Sequence, residues 1–149
     1  MRAQALAILA LLPATAVAAQ DGRSIFNRCA ACHTATGAGV PGAYPPLRGE
    51  VRTLAAKPAG RRYLVLAVVK GLSGPLTVEG KTYRNFMPAQ GGLDNAAVAA
   101  VLNHVGTAIA TAGPPFKPFT PAEVAGYKAG AGSMTGADVA KLHGAITGK

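Results

Sequence analysis

The chain is short of large side chains. Of its 149 residues none is Trp and aromatics make up 5%, although hydrophobic residues reach 50%. Such a chain has little bulk with which to fill a core to the density of protein interiors. A buried planar cofactor would supply apolar volume that the side chains do not. The same shortage counts against nucleic-acid binding, because no aromatic series interleaves with the basic residues. Those residues are scattered: Arg23, Arg28, Arg48, Arg52, Lys57, Arg61, Arg62, Lys70, Lys81 and Arg84. Acidic residues are also scarce, six against 15 Lys and Arg, for a formal charge of +9. A basic surface favours anionic partners and speeds their encounter. There is no internal repeat, and the length suits one core. No segment beyond the N-terminus has an apolar run long enough to span a bilayer, so no integral membrane span is expected in the mature chain.

The first residues read Met1-Arg2, an apolar run from Ala3 to Leu12, then Pro13 and the small residues Ala14-Thr15-Ala16-Val17-Ala18-Ala19. That is the pattern of a secretory signal, with cleavage near Ala18, Ala19 or Gln20. Its removal takes Arg2 and lowers the formal charge by one. The expected organisation is a signal peptide over 1–19, a domain over 20–112 and an extension over 113–149, in a protein exported to the periplasm.

Helix signals recur along the chain. Asp21 caps a helix through Gly22–Arg28, with Ile25, Phe26 and Cys29 on one side. Gly and Pro at short intervals make Thr34–Gly49 a loop. A second helix runs from Pro58 or Ala59 to Lys70, ended by Gly71. Its run Leu64–Val69 is apolar nearly all round and so is buried. Leu76–Tyr83 reads as a small hairpin turning at Glu79-Gly80. Asp94 caps a third helix, whose stripe is Val98, Val101, Leu102, Val105 and Ile109; Leu93 can staple to Val98. Gly113-Pro114-Pro115 breaks it. Two helix starts follow, Thr120-Pro121-Ala122-Glu123 and the weaker Thr135-Gly136-Ala137-Asp138, separated by Gly130-Ala131-Gly132-Ser133. The tail is therefore expected to be loosely organised, with His143 exposed.

The chemistry lies in Cys29-Ala30-Ala31-Cys32-His33. This is C-x-x-C-H, the attachment signature of c-type haem. Two thiols must add to the two vinyl groups on one porphyrin edge, and the next residue must bring an imidazole to the iron. Two intervening residues on a helical turn bring the sulfurs together. A thioredoxin-like dithiol would need a preceding strand, and none is indicated. A zinc site needs four ligands. A disulfide between these cysteines would close a very small loop and stabilise little. Both cysteines of the chain lie in the motif. His33 is then the proximal iron ligand. The candidates for the sixth position are Met87, Met134, His104 and His143. Met87 sits in Asn85-Phe86-Met87-Pro88, a loop that Pro88 stiffens; by position it is either a ligand or a core methionine.

Over Asp21 to Ala108 the chain resembles the class I monohaem cytochromes c of bacteria. The resemblance rests on Gly22-Arg23-Ser24-Ile25-Phe26 before C-x-x-C-H, Tyr44-Pro45-Pro46-Leu47-Arg48-Gly49, and Met87-Pro88-Ala89 leading into Leu93-Asp94. The stretch from Val65 to Pro75, with Thr82-Tyr83 and Met87-Pro88, is similar to cytochromes that serve dehydrogenases or terminal oxidases. It implies an all-α fold: three main helices around one covalently bound haem c, the first and last crossing near Gly22, Phe26 and Val101. It implies that Met87 is the distal ligand, that the Pro45 carbonyl accepts the Nδ1 proton of His33, and that Leu47 packs on the haem face. It implies an electron carrier rather than an enzyme, serving a periplasmic dehydrogenase, a terminal oxidase or another cytochrome. The alternative is a haem enzyme or gas-binding protein with a labile sixth site. His104 stands where the family has an aromatic residue; it either substitutes in the helix crossing, with a polar contact, or offers a second axial imidazole.

Overall fold

The computed structural model describes residues 20–148; the signal expected at 1–19 lies outside the described residues. Asp21 starts α1 (Gly22–His33) by accepting a hydrogen bond from the Arg23 amide. A short α2 (Glu50–Ala55) leads into α3 (Pro58–Lys70), which begins with Pro in its first turn and ends at Gly71, φ 71°. Val65 and Leu66 in α3 are 0% exposed, as the apolar run requires. Side chains so buried contribute about 1.5–3 kcal/mol each.

The hairpin forms where expected. β1 (Leu76–Val78) pairs antiparallel with β2 (Lys81–Tyr83), so Leu76 faces Tyr83. Glu79 and Gly80 both have positive φ, the requirement of a type I′ turn. In α4 (Asn95–His104) the Asp94 side chain accepts from the Ala97 amide. The helix widens into a π turn at Val105–Ile109, which keeps Val105 and Ile109 buried beyond the α-helical end. α1 and α4 cross at Gly22, where a Cβ would lie 2.1 Å from the Ala100 carbonyl oxygen. The Phe26 and His104 rings meet beside it, their centres 5.4 Å apart.

Two features differ from the sequence reading. α2 has no side-chain cap and no local signal; it exists because Val51, Leu54 and Ala55 are buried against α3. The tail is not loosely organised. α5 (Pro121–Ala129) packs on α3 and α4, and α6 (Gly136–Thr147) packs on α3 and β1. Val124 and Val139 are fully buried in the main core cluster. The Gly130–Ser133 segment that suggested looseness is a tight turn around Ala131, 1% exposed. His143, expected at the surface, is 2% exposed; its Nε2 lies 2.9 Å from a Glu50 carboxylate oxygen and its ring packs on Tyr63. Among the described residues no helix is long and apolar enough to cross a membrane.

Candidate functional site

The last turn of α1 presents Cys29 and Cys32, three residues apart and so on one face. Both are free thiols, half-buried, and burial pushes the Cys29 thiol up. His33 follows as the last residue of the helix, 8% exposed. The chain leaves α1 through Thr34, whose φ of 63° and ψ of 158° are sparsely populated for any residue but Gly. The loop after it is folded on itself. Gly39 donates to the His33 carbonyl, Ala38 to the Thr34 hydroxyl and Leu47 to the Gly37 carbonyl. The result is that the Pro45 carbonyl lies 2.9 Å from His33 Nδ1. A carbonyl can only accept, so Nδ1 carries the proton and Nε2 keeps the lone pair. Burial holds the imidazole below its usual pKa, against the opposing pull of the Pro45 hydrogen bond. A neutral ring with a fixed tautomer is the form that binds a metal.

A second stretch of chain forms another wall of the same cleft. Met87 is tied to Leu72 by two backbone hydrogen bonds of 2.9 and 3.0 Å, an isolated antiparallel bridge. The approach depends on Gly71, where a Cβ would sit 2.3 Å from the Met87 carbonyl oxygen. Between the walls lies an open cleft with a largely apolar lining. Cys29, Cys32, His33, Pro45, Leu47 and Met87 all line it. The structure thus brings together every site residue picked from the sequence. It leaves His104 outside, at the α1–α4 crossing, and Met134 outside, its sulfur 3.3 Å from the Arg62 guanidinium. His143 is also outside the cleft lining, on the far side of Tyr63.

Several lining residues were not picked from the sequence. Tyr63, Leu64 and Val68 come from α3, and Leu76, Val78 and Tyr83 from the inner face of the hairpin. The hairpin set had a signal, since positions 76 and 78 alternate with Thr77 and position 83 pairs with 76. Arg28 brings a positive charge to the lining. Among the described residues no group of three or more His, Cys, Asp or Glu converges, so these ligands do not form a closed four-ligand ion site. They fit a flat apolar macrocycle instead: paired thiols one helical turn apart, an imidazole and a thioether in the same cleft, and hydrocarbon around them.

The proximal loop offers a paired test. Gly39 has φ 67°, and a Cβ there would lie 2.4 Å from the Tyr44 carbonyl oxygen and 2.7 Å from that of Pro45. Gly42 has φ 77° with nothing within 4 Å. Gly42→Ala should cost about 1 kcal/mol, the conformational term alone. Gly39→Ala should cost at least about twice that, because it also displaces the carbonyl that holds His33. Urea denaturation of the two holoproteins measures the difference.

Residues 19–108 match the family model described as Cytochrome c. One cytochrome c-552 from Thermus thermophilus is 45% identical over 116 residues, covering 76% of this chain and 78% of the relative. A second cytochrome c-552 from Thermus thermophilus is 45% identical over 106 residues, covering 70% of this chain and 81% of the relative. The chain belongs to the cytochrome c family, as a bacterial class I c-type cytochrome: an electron carrier with covalently attached haem c.

Proposed function

We propose that residues 20–112 hold one haem c by thioethers at Cys29 and Cys32, with His33 as proximal and Met87 as distal ligand, and that the exported protein is a periplasmic one-electron shuttle. In this reading it runs between a dehydrogenase and a downstream acceptor such as a terminal oxidase or another cytochrome. The observation that carries the proposal is the convergence on one apolar cleft of two free thiols, a tautomer-fixed imidazole and a backbone-clamped methionine. Haem iron, when bound, supplies a one-electron ferric–ferrous couple.

The chain's own residues set the conditions. Pro45 keeps the His33 ring oriented and basic through the Nδ1 hydrogen bond. Leu47 and the side chains of α3 and α4 make the cleft lining apolar. The neutral Met87 thioether favours the reduced form. If His33 and Met87 both hold the bound iron, it would have no position left for a substrate, which suits electron transfer rather than an enzyme's role. Phe86, 67% exposed beside Met87, and Arg28 in the cleft lining suit a small transient contact with a redox partner. Export rests on the leader-like 1–19 segment.

Absorption spectroscopy is the test. The oxidised protein is expected to be low-spin with the weak red band of a methionine–iron bond, and Met87→Ala to lose that band while keeping covalent haem. A high-spin native spectrum would transfer the assignment to a haem enzyme or gas-binding protein.

A further inference from the structure

The segment that carries Leu72 is held from both sides. On one side Leu72 exchanges two backbone hydrogen bonds with Met87. On the other, the Ser73 amide donates to the Gly136 carbonyl at 3.3 Å. Successive amides of an extended strand point in opposite directions, so residues 71–73 lie between Met87 and the start of α6. The approach is close. A Cβ at Gly136 would lie 3.3 Å from Leu72 C and Ser73 N and 3.4 Å from Gly71 C. Gly136 is not free to drift, because it is the first residue of α6 and the Thr135–Asp138 capping box fixes that turn. A second tie runs alongside, from Lys70 Nζ to the Gly132 carbonyl at 3.0 Å.

We infer that Gly136 is a positioning residue for the distal ligand: α6 buttresses residues 71–73, and through them holds Met87 in the cleft. This rests on Met87 being the distal ligand. It gives the segment beyond residue 113 a role in the redox site that its distance in sequence conceals. A side chain at 136 pushes Leu72 toward Met87 and lengthens the Ser73 hydrogen bond. The thioether then leaves more often, and the site becomes open to small ligands that a carrier excludes.

Carbon monoxide reports that departure, because it binds ferrous haem only when the sixth position is vacated. The full mature holoprotein is compared with Gly136→Val, Gly136→Ala, Met87→Ala and, as a stability control, Val124→Ala in the fully buried core of α5. Gly136→Val is expected to raise the CO association rate about tenfold, the weight of one lost hydrogen bond, and Gly136→Ala by a smaller factor. Val124→Ala should leave the rate within about twofold while lowering the urea midpoint as much or more. If Gly136→Val does not fold, Gly136→Ser takes its place. Met87→Ala must bind CO faster than any of these; if it matches the parent, the ligand assignment itself fails. If Met87→Ala is fast but the Gly136 variants track Val124→Ala, Met87 remains the ligand and the buttress is refuted.

Discussion

Replacing both Cys29 and Cys32 by Ala should give, from a host competent in haem ligation, a chain whose mass is that of its amino acids alone. The chain has two cysteines, and both face the cleft, so no other thiol can substitute. Each thioether forms when a thiol adds across one vinyl group, and each single variant should keep one link. The effect on folding follows from the same geometry. The cleft walls come from α1, α2, α3, α4 and the hairpin, and a tethered cofactor would fill the apolar space that they leave between them. Without a tethered group, apolar wall is exposed at a cost of roughly 25 cal/mol per Å2. The melting temperature should fall by roughly 10 °C or more, the shift that a loss of a few kcal/mol gives in a domain of this size. Intact mass and circular dichroism melting measure the two halves. A double variant that retained haem through denaturation would place the attachment elsewhere.

How much of this was legible depends on where the information sits. α3 could be read closely because its signals are local: Pro58 opens it and Gly71 closes it. The same holds for Asp94 at the start of α4 and for Glu79-Gly80 in the hairpin turn. α2 could not be read, because six residues without a side-chain cap become helical only by burying Val51, Leu54 and Ala55. The tail was half legible. Its two caps stand in the sequence, but the docking does not, since His143 and Glu50 are 93 positions apart. The site divides the same way. C-x-x-C-H is a local spacing with one good chemical explanation. Pro45 and Leu47 came from family resemblance, and the clamp of Met87 by Leu72 is a tertiary pairing that no spacing reveals.

The shortage of acidic residues also acquires a meaning. Asp21 and Asp94 cap α1 and α4, and Asp138 completes the capping box of α6. Glu123 pairs with Arg61, and Glu50 meets both His143 and the Glu79 amide. Five of the six acidic side chains in the sequence are therefore committed to the fold. The excess of basic residues in the sequence is thus left with few carboxylates free to answer it, which favours an anionic partner.

Arg61→Met should cost about 3–5 kcal/mol, because it strands a half-buried carboxylate together with three carbonyls. Arg61 sits on α3 with its side chain 7% exposed. Its Nε lies 2.5 Å from one Glu123 carboxylate oxygen and its Nη2 2.7 Å from the other, a two-pronged pairing. The remaining donors reach the carbonyls of Lys117 at 2.9 Å, Pro118 at 3.2 Å and Ala55 at 3.4 Å, and the guanidinium carbon lies 3.8 Å from the Phe119 ring centre. One side chain thus joins α2, the segment entering the tail, and α5. Arg61→Lys should rescue little, because a point-like ammonium cannot serve that fork. Glu123→Gln should cost less, about 1–3 kcal/mol, since an amide still accepts one bond. The pH dependence has a definite sign. The Arg61 hydrogen bonds hold the Glu123 carboxyl below its ordinary value of 4.5, against an opposing pull from burial. The unfolded chain therefore takes up the proton first as pH falls. The stabilisation is complete above the ordinary carboxylate range and is lost as pH drops through the lowered folded value. Urea midpoints should fall from pH 7 to the acid range in the parent and fall less in Glu123→Gln. Arg61→Met with Glu123→Leu should recover part of the loss by removing the stranded carboxylate, and the three orphaned carbonyls account for the rest. A cost below about 1 kcal/mol for Arg61→Met would mean that the tail is held by its apolar contacts alone.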